Sequence, residues 1–134
     1  MIVRHIDEVK GTKSEVKAEN WTSFRFLLAR DGMGYSMHET HIHPNTETRM
    51  CYRNHLEAVY CVGGAGEIEE IANGNTHPIR PGTLYALNEH DDHKLRAGPE
   101  GLRLICVFNP PVTGEETHDK TGAYPAPAEM KAAS

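Results

Sequence analysis

Glu57-Ala58-Val59-Tyr60-Cys61-Val62-Gly63-Gly64-Ala65-Gly66-Glu67 reads as a strand that carries a carboxylate into an apolar run and stops at a glycine-rich turn. Further along, Pro81-Gly82-Thr83-Leu84-Tyr85 reads as a turn followed by a short strand bearing a tyrosine, and His90-Asp91-Asp92-His93 as a loop that returns a histidine. A carboxylate, a phenol and an imidazole on neighbouring strands are residue types that can hold a divalent metal between them. On that reading Glu57, Tyr85 and His93 form a metal site at which a small polar substrate is changed.

The bulk properties fit one small domain. The chain has 134 residues, enough for a real core. Fourteen basic and nineteen acidic side chains give a net charge of −5. With no basic stripe or acidic tail, neither nucleic acid nor an anionic membrane is expected as the main partner. No apolar run approaches the roughly 20 residues of a membrane helix, and the start, Met1-Ile2-Val3-Arg4-His5, lacks the apolar segment of a secretory signal. Cys51, Cys61 and Cys106 are odd in number and widely spaced. They suggest neither a disulfide framework nor a Cys-x-x-Cys zinc site, and a reduced, cytoplasmic setting is expected. Nine histidines make a metal worth seeking.

Around the central stretch the chain punctuates itself into short strands. Met1 to Val9 reads as an edge strand and turn, and Lys10 to Asn20 as a polar connector or loose helical turn. Trp21 to Leu28 alternates, with Trp21, Ser23 and Arg25 on one face and Phe24, Phe26 and Leu28 on the other. Tyr35 to Ile42 is again strand-like, placing His38, Thr40 and Ile42 together. His43-Pro44-Asn45-Thr46 breaks the pattern. Beyond it, His55, Glu57, Val59 and Cys61 share a face. Asn73-Gly74-Asn75 turns a hairpin between Glu67–Ile71 and Thr76–Arg80. Leu102 to Phe108 is a late apolar strand on which Leu104, Cys106 and Phe108 align. No sustained helical period and no internal repeat appears. Eight or so short strands predict an all-β sandwich or barrel, closed to avoid long free edges. One domain is expected over residues 1–124, with 125–134 a flexible tail.

Each candidate ligand has an ordinary alternative. A buried Glu57 needs a cation, and Arg25 or Arg53 would serve as well as a metal. Tyr85 fits a core tyrosine with its hydroxyl at the rim. His93 fits a solvated loop histidine, and His90 competes with it. His41-x-His43 puts two rings on one side of a strand, though Pro44 ends that strand at once.

Glu57, six residues, then Gly64, and Gly82, ten residues, then His93, resemble parts of the two cupin motifs. The usual His-x-His before Glu57 is absent, and Met50-Cys51-Tyr52-Arg53 stands there. Four runs identify the branch that the chain resembles: Trp21-Thr22-Ser23-Phe24-Arg25, Gly34-Tyr35-Ser36-Met37-His38-Glu39-Thr40, His55 to Gly66, and Cys106 to Gly114. They are similar to the ectoine synthases, over nearly the whole chain from Met1 to about Tyr124. The resemblance implies a cupin-type double-sheet β-barrel and the cyclisation of N-γ-acetyl-L-2,4-diaminobutyrate, with loss of water, to the compatible solute ectoine. It implies Fe2+ (or Zn2+) held by Glu57, Tyr85 and His93, and a head-to-tail homodimer. It carries over Trp21, Arg25, Thr40, Tyr52, Cys106, Phe108, Glu116 and His118 as substrate-binding residues, with Tyr52, Glu116 and His118 as the acid–base set and Glu115 an alternative to Glu116. An iron dioxygenase of the same fold, or a cupin that only binds an osmolyte, are the competing expectations.

Overall fold

A computed structural model describes residues 1–114 of the chain. Its elements are one turn of α-helix, α1 (Ile6–Val9), a 3-10 turn at Ala29–Asp31, and eight strands: β1 (Glu15–Lys17), β2 (Trp21–Leu27), β3 (Ser36–Ile42), β4 (Glu47–Met50), β5 (Leu56–Glu70), β6 (Thr76–Ile79), β7 (Leu84–Leu87) and β8 (His93–Asn109). Every pairing is antiparallel. Alternation of apolar and polar residues is what sequence reading registered, and β2, β3 and the β5–β6 hairpin lie where it put them.

The two long strands organise everything else. β5 gives its first half (Leu56 to Gly64) to a sheet ordered β1-β2-β3-β8-β5-β7, and its second half (Gly66 to Glu70) to a sheet ordered β4-β8-β5-β6. β8 divides in the same way, with His93 to Ala97 in the second sheet and Leu102 to Asn109 in the first. The glycines of the central stretch are therefore not the end of a strand, as the sequence suggested, but the corner at which a strand bends from one sheet into the other. Gly64 has φ +77°, and a side chain there would fall on the Gly101 carbonyl oxygen. Gly101, at φ +73°, lies as tightly against the Ile42 carbonyl.

Other departures have local causes. The start is a helical turn rather than a strand, because His5 and Glu8 form a reciprocal cap: His5 Nδ1 accepts from the Asp7 N–H, and the Glu8 carboxylate accepts from the His5 N–H, each at 3.1 Å. The polar connector contains β1, too short to show a period. β4 and the first half of β8 are strands by partnership with each other, Met50 lying opposite His93. The hydrogen-bonded path is open, running β1-β2-β3-β8-β5-β6 with β4 and β7 paired off it, so the barrel is closed by packing rather than by a ladder. No helix among the described residues is long and apolar enough to cross a membrane.

Candidate active site

Register builds the inner surface row by row, since residues directly opposite in antiparallel pairs point to the same side. One row runs across five strands: Arg25, His38, Cys106, Val59 and Tyr85. The next toward one end joins Ser36, Phe108, Glu57 and Leu87, and the next toward the other joins Ser23, Thr40, Leu104 and Cys61. These side chains face the opposite sheet, whose Met50, Ile68, His93 and Leu95 are buried against them.

Between the sheets lies a cavity of about 390 Å³, its open mouth included. Trp21, Thr40, Tyr52, Glu57, Tyr85, Cys106 and Phe108 line it, and so do His38 and Ser23. Tyr52, from the loop joining β4 to β5, packs edge-on against Phe108 at 5.2 Å between ring centres and donates its hydroxyl hydrogen to Met50 Sδ at 3.3 Å. Seven of the residues singled out from the sequence thus share one chamber. Two others border it. Arg25, only 2% exposed, lines a polar groove with Arg4, Glu8, Lys13, Thr113 and Gly114. His93 shares a recess with Tyr85, Asp91 and His77, so Tyr85 stands between that recess and the chamber. Glu115, Glu116 and His118 lie outside the described residues.

The electrostatics of the chamber are those of uncompensated donors. Burial pushes the Glu57 carboxyl up to about 8, opposed among the described residues by Cys106, whose thiol donates to it. Neither Arg25 nor Arg53 pairs with Glu57, so the salt-bridge alternative is not realised. Burial, then the neighbouring Glu57, Cys106 and Cys61, hold the Tyr85 phenol well above its usual range. Burial also lowers His93, partly offset by its hydrogen bond to Asp91. His93 Nδ1 donates to the Asp91 carbonyl at 2.9 Å, which leaves Nε2 with the lone pair. That Nε2 is buried and has no hydrogen-bond partner among the described residues.

The rival histidines are otherwise engaged. His90 Nδ1 lies 2.8 Å from the Tyr52 carbonyl and 3.1 Å from the His55 carbonyl, tying the loop down rather than facing the chamber. His41 pairs with Glu39 at 2.8 Å, and His43 bonds the Glu19 carbonyl and Thr22. Among the described residues no three His, Cys, Asp or Glu side chains converge as metal ligands. The trio Glu57, Tyr85 and His93 differs in counting a phenol. A carboxylate without a cation, and an imidazole whose lone pair is buried without a partner, fit a divalent ion with hard, oxygen-rich ligands.

Two buried histidines were placed on strand faces by the sequence but not singled out as site residues. His55 is fully buried with its ring edge-on to Phe108, and His38 lines the chamber. Parity signalled both, since His38 aligns with Thr40 and His55 with Glu57.

The family model described as ectoine synthase matches residues 1–128. The chain is 59% identical over 127 residues to the L-ectoine synthase of Desulfatibacillum aliphaticivorans, covering 93% of this chain and 97% of that one. It is 56% identical over 133 residues to the L-ectoine synthase of Bordetella petrii, covering 99% and 100%. Among solved structures, the crystal structure of ectoine synthase from P. lautus superposes with a TM-score of 0.85 at 52% identity, over 91% of this chain and 87% of that one. The polyketide cyclase RemF of Streptomyces resistomycificus, at 21% identity and a TM-score of 0.68 over 90% and 89%, shares the cupin-type fold.

Proposed function

The chain belongs to the ectoine synthase family, and we propose that it closes N-γ-acetyl-L-2,4-diaminobutyrate into ectoine with loss of water. The observation that carries this reading is the buried carboxylate of Glu57, unmatched by any cation among the described residues, at the wall of the family's chamber. In the reaction the free amine attacks the acetamido carbonyl carbon, one C–N bond forms, and the former carbonyl oxygen leaves with two protons as water.

Glu57, Tyr85 and His93 would hold a divalent ion, Fe2+ by preference for the hard donor set, with Zn2+ also accommodated. When bound, such an ion supplies Lewis acidity toward an amide oxygen, the aid that so poor an electrophile needs. The rest is done by the chain's own residues. Trp21 and Phe108 wall the substrate so that amine and carbonyl meet, a contribution of up to about 7–11 kcal/mol in well-oriented intramolecular systems, and they exclude water. Arg25 anchors the substrate carboxylate with a forked pair of hydrogen bonds. Cys106, bonded to Glu57, and Thr40 set the orientation of that carboxylate. Tyr52, Glu116 and His118 are assigned the proton transfers, taking a proton from the amine and returning it to the departing hydroxyl.

The second reading, an iron dioxygenase, predicts oxygen uptake during turnover; dehydration requires none. A binding-only cupin predicts tight binding without product. The deciding experiment is metal analysis joined to a cyclisation assay on chelated and iron-restored protein. Cyclisation lost with the metal and recovered with iron, without oxygen uptake, supports the reading; activity independent of metal refutes the metal's role.

A homodimer is part of the proposal. Met1, Ile2 and Val3 are exposed apolar residues ahead of α1, and Leu56, Tyr60, Val62 and Leu84 form a second exposed apolar face beside β7, which has one edge unpaired among the described residues. Each surface suits the other on a second copy, which is a head-to-tail contact. The three free cysteines accord with a cytoplasmic setting.

A further inference from the structure

His38 is fully buried, 1% exposed, in the middle of β3. Its register partners are Arg25 on one side and Cys106 on the other, and its ring tilts against Phe108 at 5.2 Å between centres. Its Nε2 is buried and meets no hydrogen-bond partner among the described residues, and the residue lines the chamber. An imidazole nitrogen left so in a native core is costly, and interiors rarely tolerate it without a purpose. Nothing in the proton transfers or the metal ligation assigned above uses it.

The surroundings select the partner. The ring stays neutral, since burial and the Arg25 guanidinium hold it down to about 3. A neutral imidazole makes a poor acid or base at neutral pH but keeps one N–H to donate. Arg25 lies directly across the register and lines the adjoining groove, whereas His38 lines the chamber, so the two stand side by side in the wall that separates them. An anionic group brought to this wall has a cation on one strand and a neutral donor on the next.

We propose that His38 is a substrate-positioning residue whose Nε2–H donates to the carboxylate of the bound diamino acid, on the side facing away from Arg25. This rests on the cyclisation reading above and adds to it a second determinant for the acid group. A charge-assisted hydrogen bond to a buried carboxylate supports a loss of about 10- to 100-fold when it is removed. The loss falls in KM, because the carboxylate is remote from the reacting carbonyl and is held equally in ground and transition states.

The test compares wild-type protein with His38→Phe, which keeps a flat ring without the donor, and with His38→Gln, which keeps an N–H. Each is assayed as iron-loaded protein on N-γ-acetyl-L-2,4-diaminobutyrate and on N-(3-aminopropyl)acetamide, the same molecule without its carboxylate. The expected result is a KM raised about 10- to 100-fold for His38→Phe on the acid, at little-changed kcat. His38→Gln recovers most of that loss, and the penalty is absent on the decarboxylated analogue. A purely structural role would impair both substrates alike, so equal losses overturn the assignment, as does an unchanged KM on the acid. Should His38→Phe not fold, as judged by thermal unfolding, His38→Leu carries the same two-substrate comparison. Wild-type protein that leaves both substrates unconverted strikes the cyclisation reading itself, whereas failure confined to the variants strikes His38 alone.

Discussion

Arg96, on the outer face of β8, meets three carboxylates: Glu47 at 2.6 Å, Glu69 at 2.6 Å and Glu67 at 3.1 Å. Glu57, on the inner face of β5, meets no cation among the described residues, although β5 also supplies Glu67 and Glu69. The same two strands thus carry paired charges on one side and, on the other, a buried acid that burial keeps protonated and that no cation offsets among the described residues. Outside, Arg4 pairs with Asp31, Arg49 with Asp92, and Arg103 with Glu39, which His41 also holds. Inside, Glu57 leans on a thiol, and the Nε2 atoms of His38 and His93 find no partner among the described residues. Stability alone would favour the opposite arrangement, because an unmatched buried group costs far more than a surface pair returns. The interior pattern is therefore not one that fold stability explains.

The comparison is broken most directly by removing the inner donors. Glu57→Ala and His93→Ala should each abolish bound iron and lower cyclisation about a thousandfold or more, with metal content and turnover measured on the same samples. Full turnover by metal-free Glu57→Ala protein would end the account of the interior. Arg25→Ala should raise KM about 10- to 100-fold and change kcat less, because a carboxylate anchor acts on ground-state binding. An unchanged KM would take Arg25 out of that role.

How far the sequence revealed this contrast depends on which signal each region carries. Alternation made β2, β3 and the first half of β5 legible, and with them the shared inward face of Trp21, Arg25, Thr40, Glu57, Cys106 and Phe108. Gly63 to Gly66 was misread as a turn, because glycine signals turns and sheet corners alike. His93 was read as a loop residue for a related reason: Gly98-Pro99-Glu100-Gly101 interrupts β8, so its first half looked detached from Leu102 to Phe108. β4 was invisible, since Glu47 to Met50 is strand only through its pairing with that half of β8. Residue type in the central stretch suggested the ligand trio, and the resemblance implied the same three. Spacing alone left Glu57 between a metal and an arginine, and in the structure neither Arg25 nor Arg53 pairs with it.

A subtler test uses pH on metal-free protein. The Glu57 carboxyl moves from an ordinary 4.5 up to about 8 on folding. Between those values the folded state keeps a proton that the unfolded state has lost, so this group's contribution to stability is fully present below 4.5 and is lost as pH rises through 8. Relative to Glu57→Gln, whose amide does not titrate, metal-free wild type should lose at most about 1.4 kcal/mol per pH unit across that window. Urea unfolding at a series of pH values reads this directly. Iron-loaded wild type should resist the loss, because the bound ion favours the ionised carboxylate. Parallel pH profiles for wild type and Glu57→Gln would mean that the carboxyl is solvated after all.

The smallest effect is expected where the most ion pairs are seen. Arg96→Met removes three contacts at once but keeps the apolar stem that lies along the sheet. All four side chains reach solvent, so each pair lost is weak, and the three carboxylates left behind repel one another across a high dielectric. The melting temperature should fall by no more than about 2 °C in dilute buffer. At 1 M salt, where screening reaches within about 3 Å, the difference should vanish. Iron content and KM should match wild type, because the outer network has no part in holding either ligand. Loss of iron from Arg96→Met would show that the outer pairs brace the β5–β8 corner on which Glu57 and His93 depend, and the separation of inner from outer charge would then be one of position only.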